Sequence, residues 1–224
     1  MCNGNNEFLS KEYLINQIES LINRIYNNYH RPFYSEMDFQ YNLLLMLEQN
    51  KPKGWSIYTE VPYDEKGKEK HRRIDICAKD PQNNLYLIEL KYKTAKEKYF
   101  NPFWDKTMEL KQFSCYTDNR KAFFVDVEKL KNLFEDKENN VKLAYAVFLT
   151  NDKNYTENEH KKSHFMGKDK DNSIQCSLKE QKNDQEPVAI GEWHEIKYKP
   201  FIKASIANTV YFNIVEINDK IASR

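Results

Sequence analysis

Apolar residues recur along the chain with two periods, and the change from one to the other separates helical from extended stretches. From Ser10 to Tyr29, residues Leu14, Ile18, Leu21, Ile22 and Ile25 fall at helical spacing, with Ser10 placed to cap the first turn. His30-Arg31-Pro32 ends that helix, because a residue before proline avoids the helical region. A second helix is predicted over SEMDFQYNLLLMLEQN, with Ser35 as N-cap and Asp38 as an acidic variant of the capping box. Its stripe runs Glu36, Gln40, Leu43, Leu47. The period then falls to two. Trp55 to Tyr63 sets Ile57, Thr59 and Val61 on one face, Tyr58 and Glu60 on the other.

The stretch from Arg72 to Tyr92, RRIDICAKDPQNNLYLIELKY, reads as a hairpin whose two apolar runs flank a Pro- and Asn-containing turn. Centring the turn on Gln82 pairs Ile74 with Leu90, Ile76 with Ile88 and Ala78 with Tyr86 on one face. The other face then carries Asp75 opposite Glu89, Cys77 opposite Leu87 and Arg73 opposite Lys91.

Beyond it, YKTAKEKYFNPF reads as a loop and Trp104 to Tyr116 as a helix striped by Met108, Gln112 and Cys115. Ala122 to Phe134 has helical spacing, although its FFVDV also fits a strand. Val141 to Thr150 is apolar enough for a strand buried on both faces. Residues 151–187 are densely charged and aperiodic, as in a long loop or insertion. Val188 to Tyr198 and Asn208 to Ile217 return to strand character. This succession predicts a single α/β domain over residues 1–224: an N-terminal packing helix (1–34), a core (35–150), the polar insertion (151–187) and C-terminal strands (188–224).

Two carboxylates facing each other within apolar strands repel unless positive charge lies between them, and a divalent cation meets that need. Hard oxygen ligands suit Mg²⁺ or Mn²⁺, which take one or two carboxylates together with waters and phosphate oxygens. Lys91, two residues beyond Glu89, shares its face and can act on a metal-bound water or on phosphate charge. An amphipathic hairpin with a solvated charged face meets the same pattern. Glu-x-Lys itself is common here, starting at Glu89, Glu109, Glu135, Glu159, Glu180 and Glu195. Only at Glu89 does an Asp stand correctly on a preceding apolar strand.

Ile74-Asp75 followed by Glu89-Leu90-Lys91 resembles the active-site signature of the PD-(D/E)xK nuclease superfamily, with Ile74 in place of the motif proline. The resemblance covers Ser35 to Thr150, and with the FLTND run it looks like a bacterial branch. It implies a restriction-endonuclease-like αβββαβ core with a mixed central sheet flanked by helices. It also implies metal-dependent phosphodiester hydrolysis of nucleic acid, DNA ahead of RNA. Asp75, Glu89 and the Leu90 carbonyl would hold Mg²⁺ or Mn²⁺, Glu36 would assist from the helix before the sheet, and Gln112 would orient Lys91 or a water. Arg72 and Arg73, beside the Asp strand, are candidate phosphate contacts. The alternative is a catalytically silent nuclease-fold module, for binding or structure, in a defence or mobile-element system. A homodimer is compatible with either function.

A net charge of +1 and a pI near 7.6 mean that any nucleic-acid surface must be local. Cys2, Cys77, Cys115 and Cys176 form no CxxC pair, and no apolar run approaches the ~20 residues of a membrane span. A reduced cytoplasmic setting is expected. His160 and His164 share a helical spacing but lack a third zinc ligand.

Overall fold

Most segments of period two assemble into one sheet, in an order that places the Asp75 and Glu89 strands side by side, second and third from one edge. The computed structural model describes residues 8–63, 72–111, 116–156, 173–176, 188–201 and 208–217. Its strands are β1 (Ser56–Tyr63), β2 (Arg72–Lys79), β3 (Leu85–Lys93), β4 (Glu97–Asn101), β5 (Lys106–Leu110), β6 (Val141–Thr150), β7 (Ser173–Cys176), β8 (Val188–Lys197) and β9 (Thr209–Ile217). The α-helices are α1 (Lys11–Ile22), α2 (Glu36–Asn50) and α3 (Tyr116–Glu135). Among the described residues the main sheet runs β1-β2-β3-β6-β9-β8-β7, and β4 and β5 form a separate hairpin. β3 and β6 are parallel, which the crossover through α3 makes possible, while the other neighbours are antiparallel. The protein is thus α/β with a mixed central sheet. His160, His164 and most of the 151–187 insertion lie outside the described residues.

Both faces of the sheet are covered. Leu14, Ile18, Phe39 and Leu43 of α1 and α2 pack on Ile76, Ile88 and Leu90, whereas Phe123, Val127 and Leu130 of α3 pack on Cys77, Leu87 and Phe148. β6, covered on both sides, is buried from Ala144 to Thr150. The capping residues act as predicted: Ser10 Oγ accepts from the Tyr13 N–H at 3.2 Å, and Ser35 Oγ from the Asp38 N–H at 3.1 Å. Asp38 reaches one residue further back than a capping box requires, accepting from the N–H of Tyr34 at 3.0 Å and from Arg31 at 2.7 Å. The first helix loosens at its end into a π-helical turn, Asn23–Asn28, and His30 adopts a φ of 50° before Pro32.

Two expectations need correction. The loop and helix read between Tyr92 and Tyr116 are instead β4 and β5, with α3 starting only at Tyr116. Alternation decides here: Glu97, Tyr99 and Asn101 are buried while Lys98 and Phe100 are exposed, and Asn101 Oδ1 accepts from the N–H groups of Phe103 and Trp104 to fix the turn. The Ala122 to Phe134 stretch is helical, within α3. The second correction concerns the β2–β3 register. Ile76↔Ile88, Cys77↔Leu87 and Ala78↔Tyr86 pair as expected, but the ladder stops at Ile76↔Ile88, so Ile74 and Leu90, Asp75 and Glu89, and Arg73 and Lys91 are not ladder partners.

The physical reason is a fault crossing two strands. Ile57 packs with the α1–α2 layer and Val61 with the α3 layer, and on β2 Ile76 and Ile74 divide in the same way. Residues two apart on an unbroken strand would share a face. The switch falls at Glu60, whose φ is 52°, and at Asp75, the position across from it that is skipped in the β1–β2 pairing.

Candidate active site

Gln40, one turn beyond the Glu36 end of α2, fills this fault. Nearly buried, it donates from Nε2 to the Asp75 carbonyl at 2.7 Å and to Glu60 Oε1 at 3.0 Å. The Asp75 side chain is freed from the alternation of β2 and turns across to β3, where Oδ2 accepts from the Leu90 N–H at 2.7 Å. A carboxylate thus replaces a backbone carbonyl in the sheet.

Glu89 and Lys91 project toward α3, which answers with two residues that the sequence did not single out. Lys129 Nζ stands 2.5 Å from Glu89 Oε1 and donates to the Arg73 carbonyl at 2.9 Å. Asp126 Oδ2 stands 3.1 Å from Lys91 Nζ. Glu36 approaches from the start of α2, with Oε2 accepting from the Tyr92 N–H at 2.8 Å and Oε1 3.7 Å from Lys91 Nζ. The predicted Glu36, Asp75, Glu89, Leu90 and Lys91 are therefore brought together by α2, β2 and β3. Glu36 contacts a backbone amide and Lys91. Arg73 lies apart, its exposed guanidinium 3.7 Å from Glu60, and Arg72 pairs across the strand with Tyr63. Gln112 lies outside the described residues.

Asp126 and Lys129 had a faint signal. They flank Val127 and adjoin Leu130 on the apolar stripe of α3, an unusual place for charge unless it is paired. Spacing alone does not say which strand that stripe covers.

Four carboxylates, Glu36, Asp75, Glu89 and Asp126, thus surround two enclosed ammonium groups, Lys91 and Lys129. Burial, and then the charge of Asp75, pushes the Glu89 carboxyl up to about 8 despite Lys129. Burial likewise lifts Asp75 to about 6, opposed by the Leu90 N–H and reinforced by Glu36. Lys91 is raised as well: burial disfavours its charge, but Asp126 and Glu36 outweigh that and hold it firmly protonated. Lys93, at the rim, is lowered chiefly by burial.

Burial chiefly raises both carboxyls, and the mutual charge of Asp75, Glu89 and Glu36 adds to it, so a cation placed between them would favour their ionised forms. Four carboxylates against Lys91 and Lys129 leave a formal excess of two negative charges, or one with Lys93 included. The donors are hard oxygens, so the charge and chemistry suit a divalent cation such as Mg²⁺. Among the described residues no group of three or more His, Cys, Asp or Glu side chains converges as a ligand set. Two carboxylates with backbone and water oxygens match how Mg²⁺ is usually held. Comparison with protein-family models, with curated proteins and with solved structures finds no match. Among the described residues no helix is long and apolar enough to cross a membrane.

Proposed function

We propose that the protein is a metal-dependent nuclease of the PD-(D/E)xK type, hydrolysing phosphodiester bonds in nucleic acid, DNA ahead of RNA. The observation that carries this is the convergence of Asp75, Glu89 and Lys91 on adjacent strands, with two carboxyl groups that burial and each other's charge make hard to ionise beside a firmly protonated lysine. The order helix, three strands, helix, strand in α2-β1-β2-β3-α3-β6, with the β4–β5 hairpin inserted, supports a restriction-endonuclease-like core.

Asp75, Glu89 and the Leu90 carbonyl would hold Mg²⁺ or Mn²⁺, which supplies Lewis acidity toward a phosphoryl oxygen and an activated water. Glu89, now held by Lys129, would turn its carboxylate to that ion. Lys91, kept cationic by Asp126 and Glu36, stabilises charge developing on the phosphate and orients the attacking water. Glu36 therefore serves the site mainly through Lys91. Gln40 and the Leu90 N–H orient Asp75.

The test is cleavage of plasmid and linear DNA in Mg²⁺ or Mn²⁺, with Asp75→Ala as control. Activity that needs the metal, vanishes with chelator and falls at least a hundredfold in the variant supports the proposal. Activity undiminished in EDTA overturns it.

A further inference from the structure

The β4–β5 hairpin ends in an aromatic tip that the core does not use. Phe103 is 81 % exposed and Trp104 62 %, and their rings meet edge to face with centroids 4.8 Å apart. Phe100 is exposed on the strand below them. Lys98, Lys106 and Lys111 are exposed on the same hairpin and its exit, where they outnumber the exposed Asp105 and Glu109. Large apolar rings in water are unfavourable, and here they cluster among cations on a protein whose net charge is only +1.

The tip is held firmly. Asn101 Oδ1 accepts from the N–H of Phe103 at 3.0 Å and of Trp104 at 3.3 Å. At the base, buried Glu97 accepts from Tyr198 Oη at 2.8 Å and from Asn151 Nδ2 at 2.7 Å, and Asn151 Oδ1 accepts from the Ala95 N–H. Thr94 Oγ1 donates to the Lys111 carbonyl at 2.6 Å and closes the hairpin just beyond β3. A buried carboxylate with two strong hydrogen bonds ties the hairpin to the ends of β6 and β8, so the rings are presented with little freedom left to lose on binding. The hairpin also lies beside the carboxylate site. Tyr99 packs on Tyr34 at 5.4 Å between ring centroids, and Tyr34 immediately precedes the cap of the helix that begins with Glu36.

We infer that this hairpin is a stacking platform for unpaired nucleobases, with Phe103 and Trp104 taking bases while Lys98, Lys106 and Lys111 face the phosphates. The inference rests on the nucleic-acid part of the proposed function. Aromatic rings interleaved with cations are what single-stranded nucleic acid requires, since every base offers a π-face and every linkage a negative charge. The substrate of the neighbouring site is then a single strand, or a duplex end that frays against the tip.

The chain has three tryptophans, and Trp55 and Trp193 are buried, so emission from exposed Trp104 reports the tip. The full-length protein is titrated in EDTA with oligo-dT, oligo-rU, a blunt duplex and phosphatidylserine vesicles. Single strands should quench emission and bind more tightly than the duplex. Phe103→Ala with Trp104→Ala should weaken single-strand binding about tenfold or more, whereas Trp104→Phe should retain affinity but lose the quench. Unchanged affinity in the double variant, no quench by single strands, or a spectral response to vesicles alone would each overturn the inference. Because binding is read without metal, it separates from cleavage. Ring-dependent binding without hydrolysis in Mg²⁺ supports the platform and removes the nuclease, and hydrolysis with ring-independent binding does the reverse.

Discussion

Replacing Glu89 by Gln should make the metal-free protein more stable at high pH, because the parent carries a carboxylate it cannot comfortably ionise. Glu89 is 4 % exposed, and its carboxyl is pushed from an ordinary 4.5 up to about 8. The folded state therefore keeps a proton that the unfolded chain has released. Stability from this group is greatest below about pH 4.5, declines as pH rises toward 8, and is constant beyond. The whole displacement corresponds to about 5 kcal/mol, of which about 4 kcal/mol falls between pH 5 and pH 9. Asp75, raised to about 6, titrates together with Glu89 and adds a loss of the same sign at the acidic end of that window. Glu89→Gln keeps the shape without the ionisation. Thermal melts in EDTA at fixed ionic strength should show the two proteins within a few degrees at pH 5 and the variant about 8–16 °C higher at pH 9. Added Mg²⁺ should close the gap by raising the parent alone. Melting curves that superimpose from pH 5 to pH 9 would mean that Lys129 neutralises Glu89 throughout, and the case for unrelieved charge would collapse.

Lys129→Met should cost about 1–3 kcal/mol without metal, since the Glu89 carboxyl and the Arg73 carbonyl lose their donor, and should tighten Mg²⁺ binding by calorimetry, since Glu89 is released; unchanged affinity would show that the two do not compete. Lys91→Ala should lower kcat about 10²–10³-fold with metal affinity nearly intact, and Asp126→Asn should give a smaller loss of the same kind; parallel losses of metal binding would make Lys91 a structural support for the metal ligands. Gln40→Leu removes the donor shared by Asp75 and Glu60 and should destabilise by about 1–3 kcal/mol in urea melts, with an added loss of activity because Asp75 is no longer held; full activity would separate the fault from the site.

The centre of the sheet was legible because its signals are local. Ile76 with Ile88 and Ala78 with Tyr86 follow from alternation and turn composition, and the β3 face shared by Glu89 and Lys91 follows from the same period. Glu36 was legible because a helical stripe predicts which way its end points, and it reaches the Tyr92 N–H next to Lys91. What failed depends on groups distant in sequence. The Asp75–Leu90 bond and the left-handed Glu60 break the alternation at the very position where it was extrapolated, and Gln40, which stabilises the break, comes from another layer. Lys129 and Asp126 enter from a helix whose docking is a tertiary matter. The β4–β5 hairpin was obscured because Met108, Gln112 and Cys115 imitate a helical stripe, whereas Glu97, which anchors the hairpin, looks like one more surface charge until Tyr198 is seen against it.

The bond from the Leu90 amide to Asp75 also bears on how such a protein would change under mutation over generations. A side chain that closes the ladder between two central strands is retained by selection for folding, even in a lineage where turnover no longer matters. Asp75 would then persist as a fossil, and its presence in a descendant would say little about whether that descendant still cuts. Lys91 and Asp126 belong to the α3 side of β3, outside that ladder contact, so they are free to drift sooner. Under the proposed function, loss of the Lys91–Asp126 pair with Asp75 intact among diverged copies of this chain would be the trace of a catalyst that had become a scaffold.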